Sequence, residues 1–196
     1  CELANSKKAD IFVSVHANAS VDPTAKGFEV YIARPSEDLD KRVAKAMGKY
    51  QIDTSRLAAE ILDDYSLQKI LWKIILKEYY VQSRNMAEKI CKSLDKKIND
   101  DNRGVLEAGF RVIKWTWCPA VLVEVGFMSN LQTAIKLKQA DYRRAIAEAI
   151  AEGIIKFKEE YERTVGFSKN KEGDDSPSSM PIDTNQEMSG ANGSKN

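Results

Sequence analysis

The chain's only histidine, His16, closes the apolar run Ile11-Phe12-Val13-Ser14-Val15, and a second run, Val121-Leu122-Val123, ends on Glu124. Two strands that each finish on one metal-competent or proton-accepting side chain are how an open α/β sheet builds a reaction centre. The chemistry such a pair supports is hydrolysis. A lone strand-end histidine is more often structural than functional, so the weight falls on Glu124. A carboxylate after three aliphatic residues of a core strand is costly unless it is paired, hydrogen-bonded or facing a cavity. Its partner is either a basic residue such as Arg103 or a metal-bound water.

The elements that must position the pair follow from periodicity. Ala9 to Ala17 reads as a strand with faces Phe12/Ser14/His16 and Ile11/Val13/Val15, and its two apolar faces predict a place inside the sheet. Gly27 opens a second strand, Phe28-Glu29-Val30-Tyr31-Ile32, after a loop containing Asp22-Pro23. Ser36 is a candidate N-cap for a helix with Leu39, Val43 and Met47 inward. From about Tyr50 to Ile98 the pattern is helical. It comprises a short helix carrying Leu57, Ile61 and Leu62, then a longer one with Leu67, Ile70, Leu71, Ile74 and Ile75 and later turns on Met86, Ile90 and Leu94. Asn99 to Asn102 stops it and Arg103-Gly104 turns the chain. Ala108 to Lys114 reads as a short strand, Thr116 to Pro119 as a loop and Ala120 to Val125 as a strand. Asn130 caps one helix, and Asp141 caps a final one with Ala145, Ile146, Ala149, Ile150 and Ile154 inward. The expectation is a three-layer α/β domain, a mostly parallel or mixed sheet flanked by helices, with its N-terminal part missing. It spans residues 1–164, with a helical insertion at about 50–80, and residues 165–196 form a disordered tail or linker.

Length and composition set the bounds. The 196 residues are 43% hydrophobic, enough for one well-filled core. The 30 basic and 29 acidic residues leave a net charge of +1, which gives no electrostatic footprint for nucleic acid or an anionic membrane. No stretch approaches the roughly 18 to 20 apolar residues of a transmembrane segment. Cys1, Cys91 and Cys118 have no metal-finger spacing, and their odd number argues against a full disulfide framework. The chain opens on Cys1 and runs almost at once into a core strand, which reads as an entry partway through a domain rather than as a lipidated N-terminus.

Five stretches carry a family resemblance: Ala4-Asn5, Ala9 to Ala19 (ADIFVSVHANA), Gly27 to Tyr31 (GFEVY), Asn102 to Val105 (NRGV) and Pro119 to Asn130 (PAVLVEVGFMSN). In order and spacing they resemble the zinc-dependent N-acetylmuramoyl-L-alanine amidases of bacterial cell walls. The resemblance covers roughly Cys1 to Tyr161, and its two longest motifs are the specific ones. It implies a peptidoglycan hydrolase of the cell envelope, periplasmic or secreted, that cleaves the bond between N-acetylmuramic acid and the L-alanine of the stem peptide. By the same resemblance His16 matches a Zn2+ ligand and Glu124 the catalytic glutamate. Asn18, Gly126, Trp115 and Trp117 are candidate substrate contacts, Gly126 because a residue without a side chain lets a ligand approach the backbone.

The departure from the family pattern is at the front. A Gly-rich histidine motif and a glutamate ligand on the following helix are not in this sequence, and one histidine cannot supply the three protein ligands of a catalytic zinc. The expectation is that the missing ligands lie upstream and that this piece alone binds zinc weakly and is inactive. In division-associated members an insertion carries a helix that covers the zinc until an activator protein withdraws it. Glu60, Asp63 and Asp64 are the corresponding autoinhibitory candidates, against the plainer reading of solvated charges on a packed helix. Two other functions stay open: a non-catalytic wall-binding or regulatory module on a degenerate amidase fold, and another zinc exopeptidase on a similar sheet.

Overall fold

The computed structural model describes residues 1–34, 38–49, 51–52, 65–164 and 182–183. In chain order they form α1 (Glu2–Ser6), β1 (Phe12–Asn18), β2 (Phe28–Ala33), α2 (Leu39–Met47), β3 (Gln51–Ile52) and α3 (Tyr65–Lys97). Then come β4 (Asn102–Ala108), α4 (Arg111–Lys114), β5 (Ala120–Phe127), α5 (Leu131–Lys138), α6 (Ala140–Thr164) and β6 (Ile182–Asp183). Four strands make a mixed sheet in the order β1-β5-β2-β4, as the α/β reading expected. β1 runs parallel to β5, β2 antiparallel to β5, and β4 parallel to β2.

Alternation along these strands separates two faces. Phe28, Val30, Ile32, Val121, Val123 and Val125 point to one, where they join Met86, Ile90 and Leu94 of α3 and Ile146, Ala149, Ile150 and Phe157 of α6 in the main core. α6 comes so close to α3 that a Cβ on Gly153 would sit 2.5 Å from the Ile90 Cα, so glycine sets the helix spacing there. On the other face Ile113 of α4 packs on Ala120 and Leu122, with Phe12, Tyr31 and Ala33 around them. That small cluster covers only the end of the sheet where β5 begins.

Several expectations are corrected. Among the described residues β1 lies at the edge of the sheet, with one pairing partner, β5, and with Val15 52% exposed. The Arg103-Gly104 segment is part of strand β4 rather than a turn, and the stretch read as a strand at Ala108 to Lys114 holds the end of β4 and the helical turn α4. That turn closes because the Ile113 and Lys114 amides both donate to the Phe110 carbonyl. Ile70 and Ile74 of α3, read as inward, are 52% and 58% exposed. Trp72, Leu76, Tyr79 and Met86 mark the buried stripe instead. Residues two positions off that stripe are rotated by about 200° about the helix axis.

Chain packing divides into two units, Cys1–Glu37 with Ile75–Gly173 and Asp38–Ile74 with Asp174–Asn196. The four-stranded sheet belongs to the first. In the second, α2 buries Val43 and Ala46, Asp40 pairs with Lys73 at 3.1 Å and Lys69 at 3.6 Å, and β3 pairs antiparallel with β6. The candidate N-cap Ser36, the short helix carrying Leu57, Ile61 and Leu62, and most of the expected tail lie outside the described residues, as do Glu60, Asp63 and Asp64. No helix among the described residues is long and apolar enough to cross a membrane.

Candidate active site

The strand register brings the two chemical residues together. His16 on β1 stands directly opposite Glu124 on β5, and Glu124 in turn stands opposite Glu29 on β2. Cross-strand partners project to the same face, so His16, Glu124 and Glu29 form a row across three strands. The row lies at the C-terminal ends of the parallel strands β1 and β5, beyond the patch covered by α4.

Each member of the row has a different environment. His16 is exposed, and its Nε2 shares a 2.9 Å hydrogen bond with Ser14 Oγ two residues back on the same face. Glu124 is only 7% exposed, and its Oε2 is buried without a hydrogen-bond partner. Loss of solvent pushes the Glu124 carboxyl above the ordinary carboxylate value; His16 opposes that rise and the negative charge of Glu29 adds to it. Glu29, 3% exposed, is fully engaged. Its Oε1 accepts from Arg103 Nε at 2.6 Å, and its Oε2 accepts from the Tyr31 hydroxyl at 2.9 Å and from Asn18 Nδ2 at 3.2 Å. Burial, then the Glu29 hydrogen bond and charge, push the Tyr31 phenol up to about 12.

Arg103 therefore pairs with Glu29 and not with Glu124. Sequence reasoning missed Glu29, although the signal was the one that marked Glu124: a carboxylate inside an aliphatic and aromatic strand. Asn18, a candidate substrate contact, has its side chain committed within the protein. Its Nδ2 holds Glu29 while its Oδ1 accepts from the Ala19 amide at 2.8 Å.

Two bulges tune the row. Between the pairs His16↔Glu124 and Asn18↔Phe127, β5 carries one more residue than β1, and Gly126 there has φ +148°. The extra residue brings Phe127 onto the same face as Glu124. Gly126 does not open the backbone to a ligand: a Cβ on it would meet Thr133 Cγ2 of α5 at 2.5 Å, so a neighbouring side chain occupies that space. A second bulge, between the pairs Phe28↔Asn102 and Val30↔Val105, contains Gly104 at φ +87° and turns Arg103 toward Glu29.

Trp115 and Trp117 are at the wrong end. They precede β5, whereas Glu124 lies near its finish, and the seven residues from Trp117 to Glu124 extend on the order of 20 Å at the usual strand rise. Trp117 is 8% exposed, and Asn5 ties the pair down by donating to the Trp115 carbonyl and accepting from the Trp117 amide, each at 2.9 Å.

A zinc ion needs about three protein ligands. Among the described residues no group of three His, Cys, Asp or Glu side chains is placed to hold a metal. His16 and the unpartnered carboxylate beside it fit a share of such a site, one ligand and one base, rather than a whole one.

Comparison with known proteins gives the family and the fold. Residues 1–156 match the family Amidase_3, N-acetylmuramoyl-L-alanine amidase. Among curated relatives, the N-acetylmuramoyl-L-alanine amidase AmiA of Escherichia coli (strain K12) is 28% identical over 87% of this chain and 59% of its own length. LytC of Bacillus subtilis (strain 168), with the same description, is 31% identical over 79% of this chain and 23% of its own. The chain thus spans less than two thirds of either relative. For the fold, the crystal structure of N-acetylmuramoyl-L-alanine amidase from Clostridium difficile 630 superposes with a TM-score of 0.56 at 21% identity, covering 81% of this chain and 62% of that one. The CwlD amidase from Clostridioides difficile, solved in complex with the GerS lipoprotein, gives a TM-score of 0.55 at 21% identity, covering 81% and 59%. With the family matched over most of its length, this chain belongs to the N-acetylmuramoyl-L-alanine amidases of the Amidase_3 family.

Proposed function

We propose that the chain is part of the catalytic domain of a zinc-dependent peptidoglycan amidase that cleaves the amide between the lactyl group of N-acetylmuramic acid and L-alanine. One observation carries the reading: His16 and Glu124 are register partners on adjacent parallel strands, with Glu124 Oε2 buried beside His16 and unpartnered. His16 would be one ligand of the zinc, with the others supplied by residues outside the described set. When bound, zinc polarises a carbonyl and acidifies water. The protein's own part is proton handling. Glu124, with its proton affinity raised by burial, takes a proton from the attacking water and delivers it to the amine nitrogen of L-alanine as the C–N bond breaks. The products are the lactyl carboxylate on the glycan and a free stem peptide.

The substrate class puts this work in the cell envelope. The 196 residues contain a single histidine, so on their own they should bind zinc weakly and turn over no peptidoglycan. Tight one-to-one zinc binding by the isolated chain in calorimetry would contradict that. The reading itself is tested by Glu124→Gln in the full-length protein. The expected result is loss of stem-peptide release from purified peptidoglycan, followed by chromatography of the products, with zinc content unchanged. Turnover retained by the variant would remove Glu124 from the mechanism.

A further inference from the structure

The Glu29–Arg103 pair lies on the same face as His16 and Glu124, yet the proton-transfer chemistry leaves it without a task. The bulge at Gly104 sets the phase of β4 so that Asn102 and Val105 pair on the core side while Arg103 faces the site row. From there the side chain crosses β2 and reaches the end of β5. Its Nε donates to Glu29 Oε1 at 2.6 Å, and its Cζ lies 5.2 Å from the centroid of the Phe127 ring, three residues past Glu124. Two fixed points hold the guanidinium plane, one through a charge-assisted bond and one through the aromatic face.

Only one of its N–H groups is used in this way. An arginine carries five donors in a rigid fork. The Nη atoms make no hydrogen bond among the described residues, and the side chain is 46% exposed. Neutralising Glu29 needs a single cation, so neither the fork nor the Phe127 contact is required for that purpose. The arrangement suits a donor pair pre-oriented toward a ligand, with its conformational freedom already restricted before binding.

The charge balance selects the ligand. Glu29 cancels the charge of Arg103, and Glu124 adds a further carboxyl one strand away. As far as the protein's own groups go, a substrate carboxylate would face both acids and find Arg103 already neutralised, whereas a neutral amide carbonyl accepts from the fork without that repulsion. We propose that Arg103, clamped between Glu29 and Phe127 beside Glu124, is a substrate-contact residue whose outer N–H groups donate to a neutral carbonyl oxygen of the stem peptide. The proposal rests on the amidase reading and adds to it the residue that seats the peptide.

The test uses the full-length, zinc-loaded protein carrying Glu124→Gln, which stops turnover, and a soluble disaccharide-peptide fragment of peptidoglycan as the titrant in calorimetry. Adding Arg103→Lys keeps a cation for Glu29 but removes the fork, and should weaken binding about five- to twentyfold, the range for losing one or two hydrogen bonds. The weakening should be equal at ~0.05 M and ~0.5 M salt, because a neutral acceptor is little screened. It should also be equal for fragments whose stem carboxylates are free or amidated. If Arg103→Lys unfolds the protein, the double change Glu29→Gln with Arg103→Gln removes the buried charge together with its partner and should weaken binding in the same way. Binding within twofold of the parent in the folded variant overturns the proposal. So does weakening confined to fragments with free carboxylates, which would make Arg103 a carboxylate clamp. A parent that binds no fragment, in a protein whose Glu124 form releases no stem peptide, overturns the amidase reading together with this one; release that persists beside Arg103-insensitive binding overturns this one alone.

Discussion

Replacing Glu29 by Gln probes the site while leaving the side chains of His16 and Glu124 in place. The carboxylate is 3% exposed and accepts three hydrogen bonds, from Arg103, Tyr31 and Asn18. Glutamine keeps one acceptor oxygen and sets an NH2 group against a donor, so one bond is lost and one meeting of donors is created. Breaking a buried pair by removing one partner costs roughly 3–5 kcal/mol, and a single bond to a charged group about 1.5–3 kcal/mol. Arg103 is 46% exposed, so water takes up much of its released charge and the lower range applies. We expect a loss of about 2 kcal/mol in urea unfolding at neutral pH. A second readout is specific to this geometry: without the Glu29 charge the Tyr31 phenol, now pushed up to about 12, should titrate closer to the ordinary tyrosine value of 10.0. An NMR titration of ring-labelled tyrosine reports it. A variant as stable as its parent, or a Tyr31 titration that does not move, would refute the view that Glu29 is the charged anchor of this face.

Other outcomes follow from the same geometry. Gly126→Ala should cost about 1–3 kcal/mol through its collision with Thr133 and its backbone angle, and adding Thr133→Ser should restore only the part due to the collision, as thermal unfolding would reveal. In alkali, a phenol with a raised folded-state pKa contributes stability that is complete below the unfolded value of 10.0 and is lost as pH rises through about 12; Tyr31→Phe should flatten that limb of the denaturation profile. Deleting residues 53–65 from the full-length enzyme should raise its basal rate if Glu60, Asp63 or Asp64 blocks the metal, and an unchanged rate in a peptidoglycan release assay would end the autoinhibitory reading.

What could be read from the residues was whatever depends on local pattern. The aliphatic runs ending on His16 and Glu124 are strands, and Asn130 caps α5 by accepting from the Thr133 amide at 3.1 Å. Features that depend on register were hidden. β4 escaped because Arg103 and Gly104 interrupt its alternation, and only pairing with β2 shows that the glycine occupies a bulge. The Glu29–Arg103 partnership links residues 74 positions apart and needs the strand order before it can be seen. Trp115 and Trp117 looked close to Glu124 along the chain, but an extended strand carries its two ends far apart. Gly126 was recognised as special for a general reason, whereas its actual neighbour, Thr133, comes from the following helix.

The edge position of β1 has a practical bearing on how this chain behaves in a test tube. Its outward ladder offers unpaired amides and carbonyls next to a half-exposed Val15, beside a groove lined by Val125, Leu137, Ile146 and Ile150. A largely uncharged edge strand of this kind is a template for stacking against copies of itself. Preparations of the isolated chain should therefore cloud and form strand-rich aggregates as concentration rises, and a lysine in place of the half-exposed Val15 would be the first remedy to engineer.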